Sequence, residues 1–210
     1  MVELTRAISL KPATKIRHEL QGTLMPLKFT TCALVIALLG ASPAALSGES
    51  PAMLMERATR AYQAGDHAEA FALFERSARS GNRLAQYHAG LMLLHGRSVE
   101  KQPVAAWRWL RRASNAGLPQ AQYEFARLYD RGEYVRQSHT VALEWYRQAA
   151  RQGHVPAQFR LAAMQLSGIG AEADPDEALR WLHAAARAGH PEAHRKLTAL
   201  HEGGTSASRP

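Results

Sequence analysis

Apolar residues recur three or four apart along most of the chain, and the stripes they form repeat at one fixed interval. Ala85, Ala121, Ala157 and Ala193 lie 36 residues apart, each four residues after a glycine: Gly81, Gly117, Gly153 and Gly189. Gly96, Gly132, Gly168 and Gly204 form a further column, Ala106, Ala142 and Ala178 another, and Trp109, Trp145 and Trp181 another. Columns held at one offset mark a stacked repeat array. A unit this short cannot bury its apolar stripe alone, so neighbouring units supply the core and the product is a solenoid.

Each unit divides into two amphipathic helices. In the best-patterned unit, Ala121, Tyr123, Phe125, Ala126 and Tyr129 share a face, and Gly132 ends that helix. A loop runs to Ser138, after which Ala142, Trp145, Tyr146, Ala149 and Ala150 share the next face up to Gly153. The same pattern predicts helices over 83–95 with 103–116, and over 155–167 with 175–188. Asp174 and Pro175 open the last of these as N-cap and first helical residue. The alanines let helices approach closely, and the tryptophans fill the space between successive pairs.

The units are assigned as 51–82, 83–118, 119–154 and 155–190, followed by a capping helix 191–202 and a disordered tail 203–210. In the first unit Gly65 is followed at once by Asp66, so the loop is short. In the cap Arg195, Thr198 and His201 occupy slots that are apolar or small elsewhere, which suits a helix on which nothing further stacks. The array is expected to hold ten or eleven helices and no strand.

The first 47 residues read differently. Residues 32–41 are the only continuous apolar run, with Lys28 before it, Pro43 after it and small residues at Ala45 and Ser47. That is a secretory signal peptide with cleavage after Ser47, and the run is short for a membrane span of roughly 20 residues. The 24 residues before Met25 carry no pattern and read as an extension upstream of a true start at Met25. An uncleaved signal anchor with a cytoplasmic tail is the alternative. Cys32 stands at the front of the apolar run rather than behind it, which argues against lipidation, and a single cysteine excludes an internal disulfide.

Charge fits export better than nucleic acid. The whole chain carries +8, but cleavage removes Arg6, Lys11, Lys15, Arg17 and Lys28 with Glu3 and Glu19, leaving 21 basic against 16 acidic side chains. A modest positive charge on an exported protein meets anionic envelope polymers rather than chromosomes.

The segments Ala121-Gln-Tyr-Glu-Phe-Ala-Arg-Leu-Tyr129 and Ala142-Leu-Glu-Trp-Tyr-Arg-Gln-Ala-Ala150 resemble the Sel1-like repeat, a relative of the tetratricopeptide repeat. The likeness covers residues 52–204, departing from the pattern at Gln165, Pro103 and Pro175. It implies an all-α, right-handed solenoid of helix-turn-helix repeats acting as adaptor or scaffold, and bacterial exported members serve envelope assembly, secretion, signalling or host contact. The paired cysteines of the cysteine-rich relatives described as penicillin-binding or β-lactamase-like are absent here.

No catalytic residue, cofactor site or metal site is assigned. His190 and His194 stand one helical turn apart, but His190 fills a turn slot shared with Asn82, Leu118 and His154, and Pro191 stands where a zincin needs glutamate. Ser80, Ser114, Ser167 and His139 lie in turns or variable slots, with no nucleophile elbow. Asp130, Glu133, Asp174 and Glu177 fall at unrelated offsets near helix ends.

The resemblance implies that the first helix of each pair lines a concave face. Leu84, His88, Leu91, His95, Gln120, Glu124, Arg127, Arg131, Pro156, Arg160, Ala163, Ser167, Glu192 and Lys196 then point into it, joined by Arg57 and Arg60 from the first unit. His88, Leu91, His95, Glu124, Arg127, Arg131, Arg160, Lys196, Arg57 and Arg60 are the candidate partner-binding residues. Cations predominate, so the expected partner is a protein or peptide of acidic character, with a solvated basic face that holds no ligand as the alternative. The expected function is an exported interaction scaffold of the bacterial cell envelope, located in the periplasm or secreted. An accessory cell-wall protein that binds or hydrolyses glycan, and a membrane-tethered signalling adaptor, stand as alternatives.

Overall fold

A computed structural model describes residues 49–97 and 99–206. The extension, signal peptide and cleavage site assigned to 1–47, and the last four residues, lie outside the described residues. The described chain is nine helices without a strand: α1 (Pro51–Gln63), α2 (His67–Arg79), α3 (Arg83–His95), α4 (Pro103–Asn115), α5 (Pro119–Arg131), α6 (His139–Arg151), α7 (Val155–Ser167), α8 (Pro175–Arg187) and α9 (Pro191–Ser206). Among the described residues these make four antiparallel pairs and one closing helix, where ten or eleven helices are expected from the sequence.

Helix limits follow from local chemistry. Ser50, Asp66, Ser138 and Asp174 accept hydrogen bonds from backbone N–H groups in the first turn they precede. Gly96, Gly132 and Gly168 end the first helices in the left-handed region, each N–H returning to a carbonyl four residues back. Gly81, Gly117, Gly153 and Gly189 sit just past the second helices at φ between 77° and 91°, which turns the chain back for the next unit. The residue after each of these glycines donates to a carbonyl five residues back, as in Asn82 N to Ser77 O at 3.3 Å and His190 N to Ala185 O at 3.0 Å.

Each helix packs on the one before it and the one after it. The alanine columns are fully buried: Ala85, Ala121, Ala157 and Ala193 in one, Ala106, Ala142 and Ala178 in another. The tryptophans are half-buried rather than wholly enclosed, and each touches two clusters. Trp109 joins the Leu54–Met92 cluster to the one around Leu110, Trp145 joins that to the cluster around Tyr146, and Trp181 joins the latter to the cluster around Leu182. They span the seams between pairs.

The first pair is joined by three residues, 64–66, where the later pairs use seven, in keeping with the short loop read from Gly65 and Asp66. One boundary differs from the sequence reading. At the other end α9 continues to Ser206, so Gly204 lies inside the helix instead of ending it, and the tail assigned from 203 is helical for its first four residues.

Candidate partner-binding surface

The candidate residues lie on four first helices and on α9, and most of their charges are already matched within the chain. On α1, Arg57 pairs with Glu49 and lies 3.5 Å from Glu69, while Arg60 lies 3.3 Å from Glu56 one turn back. Hydrogen bonding to Glu49 holds the Arg57 guanidinium above its ordinary pKa. On α5, one Arg127 nitrogen lies 2.8 Å and 3.0 Å from the two Glu124 oxygens. Burial works against the charge on Arg127, but the Glu124 carboxylate outweighs it and the pKa is raised. Arg131 lies 3.2 Å from Glu133.

Arg160 reaches from α7 to Asp130 at the end of α5, at 2.6 Å. Asp130 is the hub of a four-residue network, because Tyr146 Oη donates to it at 3.3 Å and His139 Nδ1 lies 3.2 Å away. Its carboxylate is only 10% exposed. Burial, then the neighbouring Asp130 charge, pushes the Tyr146 hydroxyl well above its usual pKa, so it stays a donor. Asp130 thus accepts from Arg160 and Tyr146 and meets the His139 ring, each from a different helix or helix end. It organises the junction of α5, α6 and α7.

His88 and Leu91 do not project freely. The His88 ring stacks on Phe74, with centroids 4.9 Å apart and planes 19° apart, and burial lowers its pKa. Leu91 is half-buried against the cluster around Leu110. His95 at the end of α3 and Lys196 on α9 are exposed.

Two features escaped the sequence reading. Gln86, Gln122 and Gln158 form a buried column, each Nε2 donating to a carbonyl eight residues back at 3.2 to 3.3 Å: Ala78, Ser114 and Ala150. Each carbonyl also accepts from the N–H of the repeat glycine, Gly81, Gly117 or Gly153, so the amide adds a second bond where each second helix ends, and the 36-residue recurrence of the glutamines was visible. The turn-slot histidines are also more than turn residues. His154 Nδ1 accepts from Ala157 N at 3.3 Å and His190 Nδ1 from Ala193 N at 3.4 Å, so both are N-caps. Their rings rest on Tyr123 of α5 and Phe159 of α7, in the helix pair before the one each caps, 4.8 Å and 4.5 Å between centroids. His190 is thus turned into the start of its helix. Among the described residues no group of three or more His, Cys, Asp or Glu side chains could hold a metal ion.

Stacked helix pairs at one fixed interval, each bonded only to its neighbours, define an α-solenoid of the repeat-scaffold class. The chain belongs to the Sel1 repeat family, whose repeat matches residues 59–82, 83–118, 119–154 and 155–190. Such repeat proteins generally mediate protein–protein interaction and are typically non-catalytic scaffolds. Among solved structures, the chain is similar to a Sel1 repeat protein from Oxalobacter formigenes at 33% identity, with a TM-score of 0.58, over 60% of this chain and 95% of that one. It is also similar to c5321, a protective antigen present in uropathogenic Escherichia coli strains and displaying an SLR fold. There the identity is 28% and the TM-score 0.71, over 77% of this chain, which spans 35% of that chain's length. No curated protein matches.

Proposed function

We propose that this chain is an exported scaffold of the bacterial cell envelope that captures a protein partner on the face built from its first helices. The observation that carries the reading is the family's repeat running through four consecutive units, since stacked Sel1 repeats serve as interaction surfaces. The basic stretch, short apolar run and small residues of 28–47 support export, and the likeness to a protective antigen of uropathogenic Escherichia coli is in keeping with it.

The pairing of Arg57, Arg60, Arg127, Arg131 and Arg160 with carboxylates refines the chemistry of that face. Counting cations alone overstates its positive field, because each arrives with its own counter-charge. What remains for acidic groups is Lys196 and the outer edges of Arg60, Arg131 and Arg160, whose side chains are 68%, 51% and 45% exposed. The partner therefore presents both signs of charge, with carboxylates toward those edges.

The test is crosslinking in cells with a tagged full-length chain, followed by identification of the adducts. Arg131→Gln with Lys196→Gln should reduce capture while helicity and melting temperature hold. Capture unchanged by that folded variant overturns the assignment of the face. N-terminal sequencing of the cellular protein should find a start near Gly48; an intact N-terminus instead means the chain stays anchored.

A further inference from the structure

A stripe of positive charge without counter-charges lies on a second helix, away from the first-helix face. The α4 sequence Pro-Val-Ala-Ala-Trp-Arg-Trp-Leu-Arg-Arg-Ala-Ser-Asn contains no acidic residue. Val104, Arg108, Arg111 and Asn115 follow one another at helical spacing along its outer side, with Arg112 beside them, and all are exposed. Among the described residues none of these three arginines is paired with a carboxylate. Arg111 and Arg112 lie instead over the rings of Trp107 and Trp109, at 4.5 Å and 4.9 Å from the ring centres. Stacking holds a guanidinium flat and leaves its N–H edge free for a carboxylate. At the start of the stripe Val104 is 66% exposed and borders a shallow depression of about 300 Å³ shared with Gln102, Pro103, Ala105 and Arg108.

The fold does not require this arrangement. At the corresponding positions α6 carries Thr140, Glu144, Arg147 and Gln148, with Arg147 paired to Glu144 at 3.1 Å, and α8 carries Asp176, Arg180, His183 and Ala184. Among the described helices only α4 combines an exposed apolar residue with three arginines that meet no carboxylate. We propose that the outer face of α4 is a docking site for an acidic, extended polypeptide segment, separate from the first-helix face.

The spacing specifies the segment. Val104, Arg108 and Arg112 are four residues apart, about 6 Å of axial rise at each step. Alternate residues of an extended chain are about 6.7 Å apart. An apolar side chain in the depression followed at two-residue intervals by two carboxylates matches Val104, Arg108 and Arg112, with Arg111 beside the central carboxylate. A polypeptide fits better than an anionic lipid surface. Trp107 is packed against Phe125 and capped by Arg111, so its ring is not free to enter a membrane interface.

The experiment uses the full chain and a dye-labelled peptide, Ser-Leu-Ser-Glu-Ser-Glu-Ser, with binding read by anisotropy and by tryptophan emission. Binding should weaken with salt, vanish when both Glu are replaced by Lys, and fall when Leu is replaced by Ser. Arg108→Gln, Arg111→Gln and Arg112→Gln together should weaken it about tenfold, the loss expected for three exposed ion pairs. If removing the stacked guanidinium groups lowers the melting temperature, the Arg→Lys triple variant serves instead; it keeps the charge, loses the fork and should still bind several-fold more weakly. Arg131→Gln with Lys196→Gln should leave peptide binding unchanged, which separates this site from the first-helix face. Absence of peptide binding, equal binding by the α4 variants, or loss in the first-helix variant overturns the proposal. So does binding of phosphatidylglycerol vesicles, rather than peptide, through the same arginines.

Discussion

Asp130 occupies a slot that is Leu94 in the preceding unit and Leu166 in the following one, and Tyr146 one that is Leu110 and Leu182. The pair is a local exchange of apolar for polar packing, completed by Arg160 and His139. Asp130→Ala removes the acceptor and leaves the Tyr146 hydroxyl buried without its partner. The expected cost is about 1–3 kcal/mol in urea unfolding. Asp130→Leu with Tyr146→Leu, which restores the residues of the neighbouring units, should recover most of it, because replacing both polar partners leaves nothing unsatisfied. A double variant weaker than Asp130→Ala would show that the network does more than hold the junction. A second residue is out of place for a different reason. Tyr134 has φ 62° and is 58% exposed, where register places Gly170 with φ 85°. Tyr134→Gly should raise stability by about 1 kcal/mol by releasing that strain. Neither substitution could be weighed from sequence, since Asp130 looked like any helix-end acid and no pattern reports which arginine reaches it.

At the scale of the helix, the limits read from caps and glycines agree with the structure to within a residue for the central units, because those signals are local. Features that cross between helices were less legible. The Gln86, Gln122 and Gln158 column repeats at the right interval, yet a buried amide is not what an apolar stripe leads one to seek. The caps at His154 and His190 depend on a ring nitrogen accepting from a backbone N–H and on an aromatic ring one unit away. They carry a consequence for acidity. Burial lowers the pKa of His88, His154 and His190 below the ordinary 6.5. Between that value and the folded-state values the unfolded chain binds more protons than the folded one. Stability from these residues is therefore complete above pH 6.5 and lost as pH falls through the folded-state values. Urea midpoints measured at pH 7.5 and 5.5 should show the lower pH to be weaker. His154→Asn with His190→Asn, which copies the Asn82 cap into the later units, should shrink the difference while keeping both helix starts. An unchanged pH dependence would place its origin elsewhere.

At the scale of the whole array, the 36-residue period carries the architecture because every unit solves the same burial problem with the same residues. The binding chemistry is set by departures from that period, and charge counted along a stripe does not reveal which cations the chain neutralises for itself. Arg127 and Arg160 look alike in sequence to Arg108 and Arg111, but only the first two meet carboxylates. The same nearest-neighbour logic governs stability. Trp145 lies in the middle of the array, edge-on to Phe125 at 5.4 Å, and touches the clusters on both sides of its seam. Trp181 bridges the next seam, beyond which only α8 and α9 remain, and its Nε1 donates to Glu177 at 3.1 Å. Both rings are half-buried, so truncation to alanine should cost less than for an enclosed tryptophan, about 2–3 kcal/mol. The consequences should still differ. Weakening the seam at Trp145 leaves two short halves, neither with enough neighbours to stay folded, whereas weakening the seam at Trp181 frays two helices from an intact stack. Trp145→Ala should lower the urea midpoint of the whole helical signal. Trp181→Ala should give a smaller early phase followed by a main transition close to that of the parent chain. Equal midpoints, or the reverse order, would mean that the seams are not carried by the units on either side of them.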